Sequence, residues 1–256
     1  MKLWASAWLL VVVGCGLDTG AGTRTPPTSM IERVLVTSVI DGDSFVTDHD
    51  ENRLVGVNAP ERDECFGSES GEWLTTLVEG KAVEVVGDSI DQFGRRLVEV
   101  GIAGTSVNLE AVRTGHAFAL SEFPDNLAVE RLAREEGLGL WGSEICGASG
   151  EKPRLTIEEI DFNPPGDDHL ELVVIGNPSH QQVDLSGFVL RDESSINRFR
   201  FPETLLQPGA TVTVMTACRR DGDILGWCSD QPVWNNDGDA VILLDQFGRV
   251  VAFRRY

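Results

Sequence analysis

Two arginines and one glutamate in the first half of the chain are side chains suited to chemistry on a phosphate ester. Arg53 begins a strand-like run, and Arg95 ends a short turn sequence. Glu61 follows Pro60, whose fixed backbone angle holds the glutamate at the end of that run. A guanidinium binds phosphate through paired hydrogen bonds and offsets the charge of a five-coordinate transition state, whereas a carboxylate can take a proton from water. Together, these residues could cleave a phosphodiester.

An oxygen-rich turn precedes the first arginine and could hold a hard cation. Its sequence at 41–44 is Asp-Gly-Asp-Ser, and carboxylate and carbonyl oxygens are the ligands that calcium prefers. Asp-Gly alone predicts a hairpin turn, and Asp-Gly-Asp recurs at 221–223 and 237–239. In the same way, the sequence Asp-Gln-Phe-Gly-Arg at 91–95 recurs at 245–249. Each motif by itself indicates a turn, and only the ordered set indicates a site.

The elements that must position these residues are short strands and helices. In the run 53–57, alternation places Arg53, Val55 and Val57 on one face of a strand. The strand-like runs are Arg33–Val39, Ser44–Thr47, Arg53–Val57, Ala82–Val86 and Arg96–Val100, and helices are predicted from the N-cap Ser68 to Gly80, from Ser106 to Arg113 and from Asn126 to Glu136. Short strands with interspersed helices favour a small α+β barrel.

In order and spacing, these motifs resemble the thermonuclease, or staphylococcal nuclease-like, family over roughly residues 31–147. The resemblance implies an α+β fold, an OB-type five-stranded barrel with helices, that cleaves DNA and RNA using calcium. Arg53 and Arg95 would then bind the phosphate and stabilise the transition state. Glu61 would be the general base.

The resemblance also implies a calcium site. The carboxylate of Asp43, the side chain of Asn58 and the carbonyl of Ala59 would be the protein ligands. Asp41 would support them from behind. The family usually has Asp at the position of Asn58, so one ligand charge is lost and calcium affinity should fall. An amide oxygen still coordinates calcium, so loss of binding does not follow.

The aromatic residues also depart from the family pattern. A well-known member stacks a nucleotide base on tyrosines, but the one tyrosine here, Tyr256, lies far along the chain. Phe93 and Phe123 are candidate stacking residues, although packing in the core is the commoner fate of a phenylalanine. We therefore expect weak substrate affinity, and the sequence defines no preference between DNA and RNA.

Length and net charge limit what the chain can bind. Its 256 residues suit two domains of about 100–120 residues each. They include 21 basic and 41 acidic side chains, a formal net charge of −20. Such a chain has no general affinity for nucleic acid or anionic lipid through a basic surface. Contact with nucleic acid must be local, through a few arginines or a bound cation.

Residues 1–15 have the pattern of an export signal. Lys2 precedes the apolar run Leu3–Val13, which is too short for a permanent membrane span of about 20 residues. Small residues before Cys15 resemble a bacterial lipobox, so Cys15 would carry lipid and anchor the protein to a membrane. Residues 16–30 are rich in Gly, Thr and Pro, which predicts a flexible tether. We expect an exported cell-envelope lipoprotein, with ordinary secretion as the second choice.

Four cysteines remain in the predicted mature chain, and they allow three connectivities. The pairs Cys65–Cys146 and Cys218–Cys228 keep each bridge within one domain, and disulfides agree with export. The sequence has no Cys-x-x-Cys motif and no histidine at metal-ligand spacing from a cysteine. A zinc site is therefore not expected.

The second half of the chain has the pattern of a separate all-β domain. Small polar residues ending at Pro153 mark the boundary, and short strand-like runs with close turns follow over 154–256. The closing segment 234–248 resembles the lamin tail domain, which implies an immunoglobulin-like sandwich without a catalytic role. For its acidic loops, such as 237–239, solvated turns are favoured over calcium sites. The sequence does not define a partner for this domain.

The leading hypothesis is an exported, lipid-anchored, monomeric, calcium-dependent nuclease with a β-sandwich accessory domain. The alternative is a surface module that binds nucleic acid or calcium but cleaves little, in keeping with Asn58 and the acidic charge. A third possibility is a structural or adhesive surface component in which calcium stabilises the sandwich. The presence of Arg53, Glu61 and Arg95 together favours the enzyme.

Overall fold

The computed structural model describes residues 31–166, 170–194, 196–219 and 222–256. The predicted signal segment with Cys15 and the predicted tether at 16–30 lie outside these described residues and stay predictions. Within the described ranges, no helix is long and apolar enough to cross a membrane.

The first half of the chain forms a closed barrel with helices. In chain order its elements are β1 Glu32–Val39, β2 Ser44–Thr47, β3 Glu51–Leu54, β4 Val57–Asn58, α1 Gly67–Val78, β5 Ala82–Val86, β6 Arg96–Ile102, β7 Thr105–Ser106, α2 Val107–Arg113, β8 Phe118–Ala119 and α3 Pro124–Glu136, followed by a 3-10 turn at Gly139–Trp141. Strands β1, β2, β3, β6 and β5 pair in a ring, which the parallel pairing of β3 with β6 closes. The predicted OB-type α+β barrel is confirmed.

Alternation of side chains along the strands builds the barrel core. On β1, Val34 and Val36 are buried, whereas Arg33 and Leu35 are exposed, as a strand with one buried face requires. A bulge between Val36 and Ser38 restores the inward direction at the end of the strand. The valines of the barrel strands and the buried faces of α1 and α2 form one continuous apolar cluster.

Two predicted element boundaries near the charged residues are wrong. The run 53–57 is not one strand, because Gly56 takes a left-handed conformation (φ 76°) and separates β3 from β4. Arg53 and Val57 therefore lie on different strands. Helix α1 begins one residue before Ser68, the predicted N-cap, with Phe66 in the cap position. The hydroxyl of Ser68 donates to a backbone carbonyl of the preceding loop instead of capping the helix.

The second half forms a β-sandwich. Its strands are β9 Thr156–Asp161, β10 Leu172–Gly176, β11 Val183–Asp184, β12 Val189–Arg191, β13 Arg198–Arg200, β14 Leu205–Leu206, β15 Thr211–Met215, β16 Ile224–Gly226, β17 Ala240–Leu244 and β18 Val250–Arg255. Two four-stranded sheets, ordered β16-β15-β10-β9 and β13-β12-β17-β18, enclose a second apolar core. The predicted all-β immunoglobulin-like domain is confirmed.

A third apolar cluster joins the barrel domain to the sandwich domain. The ring of Trp141 lies edge-on to Phe118 of the barrel and to Phe253 of the sandwich, with both centroids 5.2 Å away. Ile242 and Val250 of the sandwich complete the buried contact. Burial of aromatic surface from both domains stabilises their association.

Both predicted disulfides are present. Cys65–Cys146 and Cys218–Cys228 have Cα–Cα distances of 5.4 and 4.1 Å. The first closes a loop with a sequence separation of 81 residues, which in the chain-entropy model stabilises the fold by about 4.5 kcal/mol. Cys65 also contacts the sandwich, since a Cβ on Gly248 (φ 85°) would lie 2.7 Å from the Cβ of Cys65.

A buried ionic cluster lies beside the apolar contact between the domains. Arg255 on β18 pairs with Glu130 of α3 (3.1 Å) and with Glu193, and it donates to the carbonyl of Ala119 (3.0 Å). The side chains of Glu130 and Glu193 are 3% and 8% exposed. Burial raises the pKa of Glu130, and the charges of Arg255 and Arg134 oppose that rise. One guanidinium thus neutralises carboxylates from both domains.

The acidic loop 237–239 is not the solvated turn that its sequence predicts. Asp237 is exposed, but Asp239 is buried and accepts backbone hydrogen bonds from Asn235, Glu193 and Ala240 (2.7–3.2 Å). Burial raises the pKa of Asp239 to about 6. This carboxylate is therefore a structural group that fixes the backbone next to the domain contact.

Replacing Arg255 with alanine should strongly destabilise the protein near pH 7. Two buried carboxylates lose their cation, and breaking a buried ion pair costs about 3–5 kcal/mol. Because the folded-state pKa of Glu130 is raised, its contribution to stability is fully present below the unfolded pKa and is lost as pH rises through the folded pKa. Without Arg255 that pKa rises further, so the deficit should shrink on acidification to about pH 5.

Urea denaturation followed by tryptophan fluorescence at both pH values measures this difference. Arg113→Ala is the matched control, since Arg113 pairs with Glu110 on an exposed helix face. That surface pair should contribute less than about 1 kcal/mol at either pH. A small, pH-independent loss in Arg255→Ala, equal to that of the control, would contradict the role given to Arg255.

Candidate active site

The oxygen-rich turn passes through a narrow gap beside α1. A Cβ on Gly42 would lie 2.6 Å from the Cβ of Ser70 and 2.7 Å from that of Ala59, so only glycine fits. The carboxylate of Asp41 accepts a hydrogen bond from the N–H of Asp43 (3.0 Å). This bond fixes the backbone from which the carboxylate of Asp43 projects.

Three donors hold the buried carboxylate of Asp43. The hydroxyl of Ser44 and the N–H of Ala59 each donate at 2.8 Å, and the guanidinium of Arg53 forms an ion pair with it. Burial raises the pKa of Asp43 to about 6, and the charge of Asp41 adds to the rise while Arg53 opposes it. Asp43 is therefore a fixed carboxylate whose raised pKa comes mainly from burial.

Arg53 joins this turn to β4. Besides Asp43, its guanidinium donates to the amide oxygen of Asn58 (2.8 Å) and to the carbonyl of Val57 (3.3 Å). A guanidinium has five N–H donors, more than these three acceptors use. Arg53 thus holds the predicted calcium ligands together and keeps donors for a further oxygen.

Backbone packing fixes the position of Glu61. A Cβ on Gly67 would lie 1.7 Å from the carbonyl oxygen of Glu61, so the start of α1 lies directly against it. The N–H of Glu64 donates to that oxygen (2.9 Å), and the N–H of Glu61 donates to the carboxylate of Glu64 (3.1 Å). The side chain of Glu61 is exposed. Its partial burial, followed by the charges of Asp41 and Glu64, raises its pKa.

The turn 91–95 orients Arg95. Asp91 accepts hydrogen bonds from the backbone N–H and the Nε of Arg95, both at 2.9 Å. The repeated turn 245–249 has the same two bonds, at 2.9 and 2.8 Å, so the pentapeptide encodes a turn geometry. In that copy Arg249 is buried and donates to backbone carbonyls of the segment between the domains. The environment, and not the motif, gives each arginine its role.

An open cleft with a volume of about 470 Å³ brings most of the predicted residues together. Arg53, Asn58, Glu61, Phe93 and Arg95 all line it. The ring of Phe93 is 69% exposed and lies 5.3 Å from the guanidinium carbon of Arg95. The cleft thus combines the two arginines, the accessible carboxylate of Glu61 and one accessible aromatic face, and Glu51 and Asp91 line it as well.

Phe123 is not part of this cleft. Its ring lies over Gly56, where a Cβ would be 2.6 Å from the ring. Phe123 therefore packs on the turn that separates β3 from β4, which is a structural role. Of the two phenylalanines proposed for base stacking, the structure places only Phe93 at the cleft.

The oxygen atoms around Asp43 are in part suitable as ligands for a calcium ion. Arg53 joins Asp43 to Asn58, Ala59 contacts Asp43 through its N–H, and carboxylate, amide and backbone carbonyl oxygens are the kinds of ligand that calcium accepts. The described residues contain no group of three or more His, Cys, Asp and Glu side chains that could hold a metal. Because Arg53 covers oxygens of Asp43 and Asn58, a cation there requires that guanidinium to move.

The cleft also has a wall that the sequence analysis missed. Ser194 and Ile196 of the sandwich domain line it, and Asn58 donates its amide to the carbonyl of Glu193 (2.9 Å). Contact between residues 135 positions apart leaves no local pattern in a sequence. The signal in the sequence was Asn58 itself, an amide where the family resemblance implies a carboxylate.

Comparison with known families agrees with this arrangement. Residues 51–143 match the family described as staphylococcal nuclease homologue. Residues 148–256 match the lamin tail domain. The first match contains the cleft residues of the barrel, and the second contains the segment that forms the cleft wall.

Several relatives are named as nucleases. An uncharacterized endonuclease of Escherichia coli O157:H7 is 34% identical over 114 residues, which cover 41% of this chain and 74% of that protein. An uncharacterized endonuclease of Haemophilus influenzae is 32% identical, and the match covers 41% of this chain and 64% of that protein. A staphylococcal-like nuclease of Arabidopsis thaliana is 30% identical, and the match covers 40% of this chain and 31% of that protein. The match thus spans less than two thirds of the last two proteins. The chain belongs to the staphylococcal nuclease homologue family, with a lamin tail domain following its barrel.

Proposed function

We propose that the chain is a nuclease that hydrolyses phosphodiester bonds of DNA or RNA with calcium. The observation that carries this proposal is that Arg53, Glu61 and Arg95 all line one open cleft. Two cations for the phosphate and one accessible carboxylate for the water are the groups that the reaction needs. Membership of the family, and similarity to proteins named as endonucleases, support it.

The arginines and Glu61 have separate tasks in this proposal. Arg95, already oriented by Asp91, binds the phosphate without further ordering, and Arg53 adds a second cation. Glu61 takes a proton from water as the water oxygen attacks phosphorus. The bond between phosphorus and the leaving oxygen then breaks, and that oxygen takes a proton from solvent. The arginines offset the charge of the five-coordinate transition state.

Calcium would be held by Asp43, Asn58 and the carbonyl of Ala59, with Asp41 supporting them. When bound, calcium would neutralise phosphate charge and orient the attacking water. Arg53 would leave the oxygens of Asp43 and Asn58 and become available to the phosphate.

The second candidate function is a module that binds nucleic acid or calcium and cleaves little. The observation that favours it is the engagement of Arg53 by both Asp43 and Asn58. If Arg53 stays on these partners when substrate binds, the transition state lacks one of its two cations. Turnover, and not binding, separates this candidate from the nuclease.

Glu61→Gln should reduce cleavage of single-stranded DNA by about 100- to 10,000-fold, because the amide cannot accept the proton of the attacking water. Glu51→Gln is the matched control, since Glu51 lines the same cleft and loses the same charge. Initial rates with calcium, and with excess chelator, measure the effect. The nuclease proposal fails if Glu61→Gln keeps activity near that of the parent, or if a folded parent does not cleave at all.

Calcium should raise the thermal stability of the Asn58→Asp variant, whereas it should not do so when the replaced asparagine lies outside the calcium site. Without calcium the variant loses the hydrogen bond from Asn58 to Glu193 and sets a carboxylate against a carbonyl, at a cost of about 1–3 kcal/mol. With calcium, the added carboxylate is a stronger ligand and should recover stability. Thermal unfolding in chelator and in calcium measures both effects.

Asn126→Asp is the control for this experiment. Asn126 is buried and also donates its amide to a backbone carbonyl, that of Gly56 (2.9 Å), and neither residue is a proposed ligand. The Asn126→Asp variant should be destabilised to the same extent in chelator and in calcium. If calcium raises the melting temperatures of the two variants equally, Asn58 is not at the calcium site.

We also propose export and anchoring by lipid at Cys15, with the protein acting as a monomer outside the cytoplasm. The two disulfides support export, because such bonds persist in oxidising compartments. Cys15→Ser should move the protein from the membrane fraction to the soluble extracytoplasmic fraction, which fractionation followed by immunoblotting would detect. If the Cys15→Ser variant stays in the membrane fraction, lipid anchoring at this residue is contradicted. If the variant is found in the cytoplasm, export is contradicted.

A further inference from the structure

The connection between β12 and β13 of the sandwich reaches the cleft of the barrel, and Glu193 anchors its near end. We call residues 192–194 and 196–197 the cleft-wall segment. The carboxylate of Glu193 accepts hydrogen bonds from the N–H and hydroxyl of Ser121 (3.0 and 2.7 Å) and pairs with Arg255. Its carbonyl accepts the amide of Asn58 (2.9 Å). The segment is thus bound directly to a residue that lines the cleft.

A second anchor follows the cleft-wall segment. Arg198, the first residue of β13, forms an ion pair with Glu64. The same carboxylate accepts the N–H of Glu61 (3.1 Å). The segment is therefore tied to the barrel on both sides, once through Asn58 and once through the neighbour of the proposed general base.

Internal hydrogen bonds order the cleft-wall segment between its anchors. One oxygen of the Asp192 carboxylate accepts from the hydroxyl of Ser194 and from the amide of Asn197, both at 2.8 Å. The N–H of Ile196 donates to the hydroxyl of Ser194 (3.3 Å). Groups that hydrogen bonds already hold lose little conformational entropy when a ligand binds them.

The apolar side chain on this segment is left open to the cleft. Ile196 is 67% exposed and lines the cleft together with Phe93, which is 69% exposed. The arginines can bind the phosphate, but phosphate and sugar are polar and offer no apolar surface to Ile196 or Phe93. A nucleobase has an apolar face, and in a single strand that face is accessible because an unpaired base can leave its stacked neighbours more easily than a base in a duplex.

We infer that the sandwich domain completes the substrate site, with Ile196 contacting a base of single-stranded nucleic acid while the barrel arginines bind the phosphate. This inference rests on the proposed function for its substrate class. It makes the sandwich domain a part of the cleft instead of a spacer. It also makes Ile196 a determinant of affinity that takes no part in the chemical step.

Ile196→Ser and Leu205→Ser in the full chain test the inference. Both residues are exposed leucine-sized side chains of the sandwich, at 67% and 62%, but Leu205 does not line the cleft. Binding of fluorescently labelled oligothymidylate is measured by anisotropy with calcium, in a Glu61→Gln background that limits cleavage. Cleavage is followed in parallel with Glu61 intact. Ile196→Ser should weaken binding about fivefold and raise KM with little change in kcat, whereas Leu205→Ser should match the parent.

The outcomes distinguish this inference from the proposed function. If the parent binds oligothymidylate but does not cleave it, the nuclease proposal fails while weaker binding by Ile196→Ser still supports the inference. If the parent cleaves and Ile196→Ser binds as well as Leu205→Ser, the inference is wrong and the nuclease proposal stands. Absence of oligothymidylate binding by a folded parent overturns the inference. Melting temperatures equal to that of the parent exclude a folding defect in either variant.

Discussion

The joining of the two domains at the cleft depends on the complete hydrogen bonding of one buried glutamate. The N–H of Glu193 donates to Asp239, its carbonyl accepts from Asn58, and its carboxylate accepts from Ser121 and Arg255. Burying a carboxylate costs several kcal/mol unless charge and hydrogen bonds compensate it. Because these partners come from both domains, compensation is complete in one docking orientation only. That orientation places the cleft-wall segment beside the arginines.

The repeated motifs show how one local geometry serves different purposes. Asp43 and Asp239 both end an Asp-Gly-Asp turn, and burial raises the pKa of each to about 6. Asp43 meets a guanidinium and lies behind an open cleft, whereas Asp239 accepts only backbone hydrogen bonds inside the domain contact. The hairpin motifs at 91–95 and 245–249 divide in the same way. A short motif therefore defines a turn, and the surrounding fold decides whether its side chains meet solvent.

The barrel, the sandwich, both disulfides and the grouping of Arg53, Glu61 and Arg95 in one cleft could be predicted from the sequence, because ordered motifs and alternation depend on neighbours along the chain. The break at Gly56 could not be predicted, since a single glycine within a strand-like run can adopt an extended or a left-handed conformation. Phe123 could not be separated from Phe93, because composition does not distinguish a ring that packs on a turn from one that faces a cleft. The wall formed by Ile196 required knowledge of how two independent cores dock, and neither core encodes that alone.

The asparagine at position 58 can now be explained by the docking of the sandwich. Its amide oxygen accepts from Arg53 and its amide nitrogen donates to Glu193. A carboxylate could keep the first contact, but it has no proton to donate to the second. The same residue therefore cannot supply full ligand charge to a cation and also tie the sandwich to the cleft with a neutral donor. The chain has the amide, so the lower charge at the proposed calcium site accompanies a hydrogen bond that holds the cleft-wall segment beside the cleft.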